Sequence, residues 1–389
     1  MTMQIGDRRA FLKLTGATVA LFAACRHPRA LWMGPESFHP HPEEIRMRLL
    51  RTAILAPSPH NTQPWRVEWT AENSMKLFVD RSRLLPLTDP FARQIHISQG
   101  AFLELLEMAA GAVGWRAEIA YFPEGEYANN ITEAKPVASI VLSPAPAVKM
   151  DPLFEQIAWR VTNRRTFVRN RAIPAADALA LRTAVENMGS GWRYIQSVAE
   201  RRAIAGICTE AMAVEVTSAE RNRETAAWFR FSEHELDEKR DGLGMEQNGI
   251  SGLRRWVAER FLLSRERAAD TKGIFARGAI DMAREQGSTA AAFGALVSDG
   301  NSRLDQVLAG RAYLRLHLTA ARAGLAMQPL SQSLEEYSGM TAQRQQLKDA
   351  MMVTASQTVQ MLVRLGYAAP TPHSPRRDAA CLLQRPVAS

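Results

Sequence analysis

The sequence predicts an α+β fold built from two related halves fused in one chain. Three observations carry this. A stretch of the first half recurs at a constant offset of 210 residues: Asp89, Arg93, Gly100, Leu106, Ala110 and Gly114 match Asp299, Arg303, Gly310, Leu316, Ala320 and Gly324. Helical apolar spacings mix with short alternating runs, without the regular alternation of a parallel-sheet protein. The 389 residues also exceed the roughly 250–300 that one core ordinarily serves.

In the first half, residues 43–150, the spacing predicts a helix over Glu43–Leu55. A strand follows at Trp65–Thr70, where Trp65, Val67 and Trp69 alternate with polar residues, and another at Met75–Asp80. The repeat helix carries Phe102, Leu105, Leu106, Ala109 and Ala110 on one face and ends at Gly114, a residue suited to a helix C-terminus. Strands near Ala117–Phe122 and Val137–Leu142 complete this half. In the second half, residues 151–370, helices are expected near Pro152–Arg160, Ala175–Asn187 and Val198–Val216. Strands near Ala291–Val297 and Gln360–Gly366 flank the second repeat helix, whose face is Tyr313, Leu316, Ala320 and Ala323. Residues 213–285 have no counterpart in the first half and read as an insertion; residues 371–389 read as a tail rich in Pro and Arg.

Composition narrows the function. With 46% hydrophobic and 23% charged residues the chain is ordinarily globular. Its net charge of +8 does not indicate a nucleic-acid partner, because Lys and Arg are interspersed with acids, as in Arg265–Asp270, and no basic run is interleaved with aromatics. Cysteines at 25, 208 and 381 form neither a disulfide framework nor a zinc-ligand spacing, and Cys208 reads as a buried helix residue. Gly242-Leu243-Gly244 is followed by Met-Glu-Gln, so no dinucleotide fingerprint is present, nor is there a P-loop or a G-x-S-x-G elbow. No metal site is expected: His39-Pro40-His41 reads as connector and His317 as structural.

The N-terminus reads as an address. Asp7-Arg8-Arg9-Ala10-Phe11-Leu12-Lys13 matches the twin-arginine export pattern, and the apolar run Leu14–Ala24 is too short to span a bilayer, which takes about 20 residues. Leu21-Phe22-Ala23-Ala24-Cys25 resembles a lipobox, with Phe22 where Leu is usual, so lipid anchoring at Cys25 and simple cleavage both stay open. Residues 1–25 are thus expected to be a signal peptide recognised by the twin-arginine machinery, residues 26–42 a linker, and the product periplasmic or membrane-anchored.

Two polar segments carry the chemistry. The first is Ala56-Pro57-Ser58-Pro59-His60-Asn61-Thr62-Gln63-Pro64-Trp65, a proline-stiffened loop between a helix and a strand. If extended it would project the Asn61 and Gln63 carboxamides together toward a planar ligand; as a rigid turn it would use them on local backbone groups. The second is Arg160-Val161-Thr162-Asn163-Arg164. Extended, it places two guanidiniums and a hydroxyl on one side, a phosphate clamp; a basic surface segment is the alternative.

Together with Asp89-Pro90…Arg93, Gly310-Arg311-Ala312 and Gln328-Pro329-Leu330-Ser331-Gln332, these motifs resemble the nitroreductase superfamily, specifically its Acg-like FMN-binding branch. The resemblance covers most of residues 43–367. It implies a three-layer α/β/α sandwich, an intrachain pseudo-dimer, with FMN between the halves. It implies that Arg160, Thr162 and Arg164 hold the phosphate, that Pro57, Ser58, Asn61 and Gln63 reach the ring, and that Pro329, Leu330 and Ser331 line its reactive edge. One site per chain is expected, since half two lacks a second A-P-S-x-x-N-T-Q-P-W. Two-electron reduction of a nitroaromatic- or quinone-like small molecule, with NADH or NADPH as donor, is the implied activity; no catalytic acid or base is identifiable. Flavin storage with little turnover is the rival, as is a structural envelope protein, and the insertion, with Trp228-Phe229-Arg230-Phe231-Ser232 and a hinge at Arg240–Gly244, reads as a lid. Further dimerisation stays open. Replacing Arg8 and Arg9 together by Lys should leave folded protein in the cytoplasm; unchanged export on cell fractionation contradicts the twin-arginine reading.

Overall fold

The structure is a computed structural model that describes residues 42–250 and 265–383. The twin-arginine segment, Cys25, the linker up to residue 41 and with it His39-Pro40-His41 lie outside the described residues, and α1 already begins at Pro42.

Half one runs α1 (Pro42–Ala53), β1 (Trp65–Ala71), β2 (Ser74–Val79), α2 (Arg93–Ala112), β3 (Trp115–Tyr121) and β4 (Ala138–Pro144). Its sheet is antiparallel, in the order β1-β2-β4-β3. Alternation decides its faces: Trp65, Val67, Met75, Leu77 and Ile140 pack on α1 and α2, while Glu68, Glu118 and Val141 are exposed on the other side.

Half two runs α3 (Ala175–Glu186), β5 (Gly191–Ile195), α4 (Val198–Glu215), then the insertion elements α5 (Ala219–Trp228), β6 (Phe229–Arg230), α6 (Glu233–Lys239), β7 (Leu243–Gly244), α7 (Arg265–Ala268) and α8 (Ile274–Ser288). It continues with β8 (Ala292–Ser298), α9 (Arg303–Arg322), β9 (Ala326–Pro329), α10 (Thr341–Ala350) and β10 (Thr358–Gly366). The sheet order is β5-β8-β10-β9, the same first-second-fourth-third arrangement as in half one. Here both faces are covered. Ala292, Leu296, Val363 and Leu365 pack on α3 and α9, and Phe293, Ala295, Val297 and Leu362 face α4 and α10. This half is the α/β/α sandwich expected.

The halves meet where α2 crosses α9. A Cβ placed on Gly100 would stand 1.8 Å from the Val307 carbonyl oxygen, and one on Gly310 would stand 1.8 Å from the Ile97 carbonyl oxygen. The repeat offset relates both glycines and both carbonyls, so one contact is the pseudo-twofold image of the other. Each helix closes on its repeat glycine in the left-handed region, Gly114 at φ 72° and Gly324 at φ 66°. The repeat arginines reach across: Arg93 donates to Gln360 O (2.7 Å) and Leu334 O (2.8 Å) of half two, and Arg303 donates to Ile131 O (2.6 Å) of half one. Fully buried Glu104 of α2 accepts from Arg311 (2.6 Å) and Arg315 (2.5 Å) of α9. Removing one partner of such a buried pair costs roughly 3–5 kcal/mol.

Several elements differ from the sequence expectation. The helix expected over Pro152–Arg160 is a short 3-10 turn, Phe154–Ala158, begun by the Asp151 carboxylate accepting from Leu153 N at 2.8 Å. Strands β5 and β9 were not anticipated. β9 spans only four residues including Pro329, and it forms because β10 pairs one edge of it. The tail past Tyr367 packs on half one: Arg376 donates to the carbonyls of Ile54 (2.9 Å) and Ala56 (3.2 Å).

Gly310→Ala should cost about 3 kcal/mol or more, since the neighbour that must move is backbone rather than a side chain. Gly278→Ala, with nothing near its added Cβ, should instead gain about 0.5–1 kcal/mol. Urea unfolding of both decides it; equal stabilities contradict the crossing as described.

Candidate functional site

A cavity of about 230 Å³ lies between the halves against α2 and α9. Half one contributes Pro57–His60 and, from α2, Gln94, Ile97, Ser98 and Ala101. Half two contributes Thr162, Arg164, Tyr313, Gln328–Gln332 and Met361. The insertion contributes Asn222, Thr225, Phe229, Leu243, Asn248 and Phe275. On the pseudo-symmetric side the 122–137 loop packs against both central helices: Tyr127 is buried against His96 of α2 (2.7 Å), and Asn129 donates to Asn301 O just before α9 (3.0 Å).

The Pro57–Gln63 loop is a tight turn, not an extended segment. His60, Asn61 and Gln63 have φ of 44°, 52° and 52°, conformations costing on the order of 1–3 kcal/mol each. They persist because the loop is clamped. Asn61 Nδ2 donates to Gly242 O and Pro375 O, both at 3.2 Å. Gln63 Nε2 donates to Arg240 O (2.9 Å), and its Oε1 accepts from Arg377 N (2.9 Å). Arg83 donates to Thr62 O at 2.5 Å. The two carboxamides therefore engage protein backbone and do not line the cavity. They fasten the insertion and the tail to the loop whose Pro57, Ser58, Pro59 and His60 do.

The Arg160–Arg164 segment is seated by β9. Thr162 bridges Met327, and Asn163 N donates to Met327 O at 3.0 Å. This edge pairing brings Thr162 and Arg164 beside Pro329, Leu330 and Ser331 in the cavity wall. Arg160 turns away, donating to Leu55 O (2.9 Å) beside His317. The expected three-residue clamp is thus two residues in the cavity, with the third bracing α1.

The cavity is electropositive. Among the described residues Arg164 has no carboxylate partner; the titratable groups that act on it are Tyr313, His60 and Arg364. Burial, with the Arg164 charge adding, pushes the His60 imidazole down to about 4, so it is neutral at pH 7. Burial pushes the Tyr313 hydroxyl and the Cys208 thiol up to about 12, leaving both protonated. Arg164 is therefore the fixed charge an entering anion meets, and among the described residues Glu215 is the one carboxyl in the lining.

Sequence reasoning missed the support beneath this wall. Arg364, fully buried in β10, donates to Gln328 Oε1 (2.6 Å), Gln286 O (2.8 Å) and Arg165 O (2.7 Å) and lies 3.7 Å over the Phe167 ring. Gln286 in turn donates to Arg164 O at 3.2 Å. The signal was a lone charge in the apolar run Val359–Leu365. Tyr313, Glu215 and Met361 carried no local motif.

The Arg240–Gly244 turn, expected as a hinge, is pinned. Asp241 accepts from Arg230 at 2.6 and 3.1 Å and pairs with Arg83 of half one. Phe229, rather than Trp228, faces the cavity. Asp241→Asn leaves buried Arg230 and half-buried Arg83 short of a counter-charge and should loosen the insertion by several kcal/mol. Limited proteolysis within 225–250 should accelerate at least about tenfold, the effect of 1.4 kcal/mol; unchanged cleavage contradicts the pin.

No family model matches the chain. A Mycobacterium tuberculosis protein named "Putative NAD(P)H nitroreductase" is 28% identical over 364 residues, 91% of this chain and 95% of that protein. A second from the same organism, "Putative NAD(P)H nitroreductase acg", is 38% identical over 100 residues, 25% of this chain and 28% of that one. The solved structure of a nitroreductase with bound FMN from Bacteroides fragilis aligns at a TM-score of 0.31 and 13% identity, covering 56% of this chain and 89% of that one. Over nine-tenths of its length, then, the chain is similar in sequence to a protein named as a putative nitroreductase.

Proposed function

We propose that the protein is an FMN-dependent oxidoreductase that takes two electrons from NADH or NADPH and passes them to a small nitroaromatic- or quinone-like acceptor. One observation carries the reading: Arg164, which among the described residues has no carboxylate partner, faces a cavity shared by both halves, with the Thr162 hydroxyl beside it. That donor set suits a phosphate, because guanidinium offers forked charge-assisted hydrogen bonds. Thr162 and Arg164 would hold the FMN phosphate, while Pro57–Pro59 from one side and Pro329–Ser331 from the other would contain the ring. When bound, the flavin supplies the two-electron redox chemistry, and the protein supplies position and electrostatics. The mycobacterial relative's name points to the same donor class.

The insertion serves this site as a lid. Asn222, Phe229, Leu243 and Phe275 roof the cavity, and its 230 Å³ falls below the roughly 300–1,000 Å³ of small-molecule sites. Admitting an acceptor beside a ring therefore requires the insertion to shift. The same roof favours the second reading, a flavin-storing protein with slow turnover. Anaerobic addition of NADH to the flavin-loaded protein separates them: rapid bleaching of the flavin spectrum supports the enzyme, and persistent colour supports storage. In the same reading the protein works outside the cytoplasm, delivered folded by the twin-arginine route, with Cys25 either lipidated as an anchor or left by simple cleavage.

Arg164→Ala should weaken FMN binding by about one to two orders of magnitude, the loss of a charge-assisted bond of roughly 1.5–3 kcal/mol. Riboflavin, lacking the phosphate, should bind equally well to both proteins. Equal losses for the two ligands in fluorescence titration place Arg164 elsewhere.

A further inference from the structure

Among the described residues the cavity wall holds one carboxyl, and anchoring a flavin does not use it. Along α4, Cys208, Met212, Glu215 and Val216 fall on one helical face and line the cavity. Glu215 is 6% exposed, and its Oε2 is buried without a hydrogen-bond partner. An unpartnered buried carboxylate is costly, so such a group keeps its proton instead.

The one cation beside it, among the described residues, bonds backbone rather than the carboxyl. From α5, Arg221 donates to the backbone carbonyls of Glu215 and Val214, both at 3.2 Å, and lies over the Tyr337 ring. Glu224, also from α5, accepts from Thr88 N and its hydroxyl, both at 2.8 Å. From the segment after β9 come the Gln332 amide, buried Glu335 and Tyr337, and Glu335 Oε2 likewise has no partner. Burial raises the Glu215 carboxyl to about 7, with Arg221 and Gln332 opposing and Glu224 adding. Burial and the neighbouring Glu215 hold Glu335 well above the usual carboxylate range.

We propose that Glu215 is the acid of the reaction, its neutral carboxyl donating a hydrogen bond to the oxygen of a carbonyl- or nitro-bearing acceptor and passing it the proton. This rests on the function proposed above, whose reduced flavin, replenished by a dihydronicotinamide, is the hydride source. For a quinone, hydride and the Glu215 proton together give the hydroquinone. For a nitro compound they give the nitroso compound, as one N–O bond breaks and its oxygen leaves as water. Glu215 is left as the carboxylate and regains a proton from solvent.

Glu215→Gln keeps the shape and removes the proton. With a benzoquinone acceptor the oxidative half-reaction should slow by about a hundredfold or more, while reduction of the flavin by NADH is unchanged. The neutral acid is the active form, so the wild-type rate should be level below pH 7 and fall about tenfold per unit above it. Glu215→Gln should be slow and flat, and Glu215→Asp should keep the pH dependence. Independently of turnover, infrared spectra of the flavin-loaded wild-type protein should show a carboxylic-acid carbonyl band that disappears across pH 7. That band should be missing in Glu215→Gln and shifted in Glu215→Asp. Wild-type quinone rates and profile in Glu215→Gln, or no titrating band in the wild type, overturn the proposal. Failure of the wild-type protein to bind FMN overturns the functional reading instead, and appears before any variant is made.

Discussion

The crossing of α2 and α9 at Gly100 and Gly310 is the contact on which everything else depends. Side chains at these positions would meet backbone carbonyls, so only hydrogen allows the helices to approach this closely. That approach brings Glu104 within reach of Arg311 and Arg315 and lets Arg93 and Arg303 find carbonyls in the opposite half. The cavity exists because two halves, each with its own sheet, are held against one helix pair.

The pseudo-twofold at that crossing is broken on purpose-specific sides. One side is filled by the 122–137 loop through Tyr127 and Asn129. The other is left open and walled by segments from distant parts of the chain. Each wall is tied to a second element: Thr162 and Asn163 to β9, Gln286 to Arg164 O, and Asn61 and Gln63 to the insertion and tail. The strained turn at His60–Gln63 is affordable only under that clamp. Positive charge concentrates at Arg164, while the carboxyl at Glu215 lies on α4.

Much of this was readable from sequence because the signals were local. The repeat glycines and arginines marked the central helices, and alternation at Trp65 and Val67 marked the first sheet. The Pro57–Trp65 and Arg160–Arg164 motifs marked segments that reach, or brace, the cavity. What escaped was tertiary. Whether Asn61 and Gln63 face a ligand or the backbone depends on residues 177 and more positions away, such as Arg240 and Pro375. Arg160 departs from Arg164 because Leu55 O lies within its reach. Glu215 looks like an ordinary helix-end glutamate until α5 and the Gln332–Tyr337 segment close over it. Strand β9 is too short to show a period, and it exists through its pairing with β10.

The proposed flavin site is single, anchored at Arg164 and set between the fused halves. Equilibrium titration of flavin-free protein with FMN, followed by quenching of flavin fluorescence, tests it most directly. Saturation at about one FMN per chain is expected. Saturation near two per chain would mean that the loop-filled side is also a site, and no saturable binding would mean that the cavity is not a flavin site.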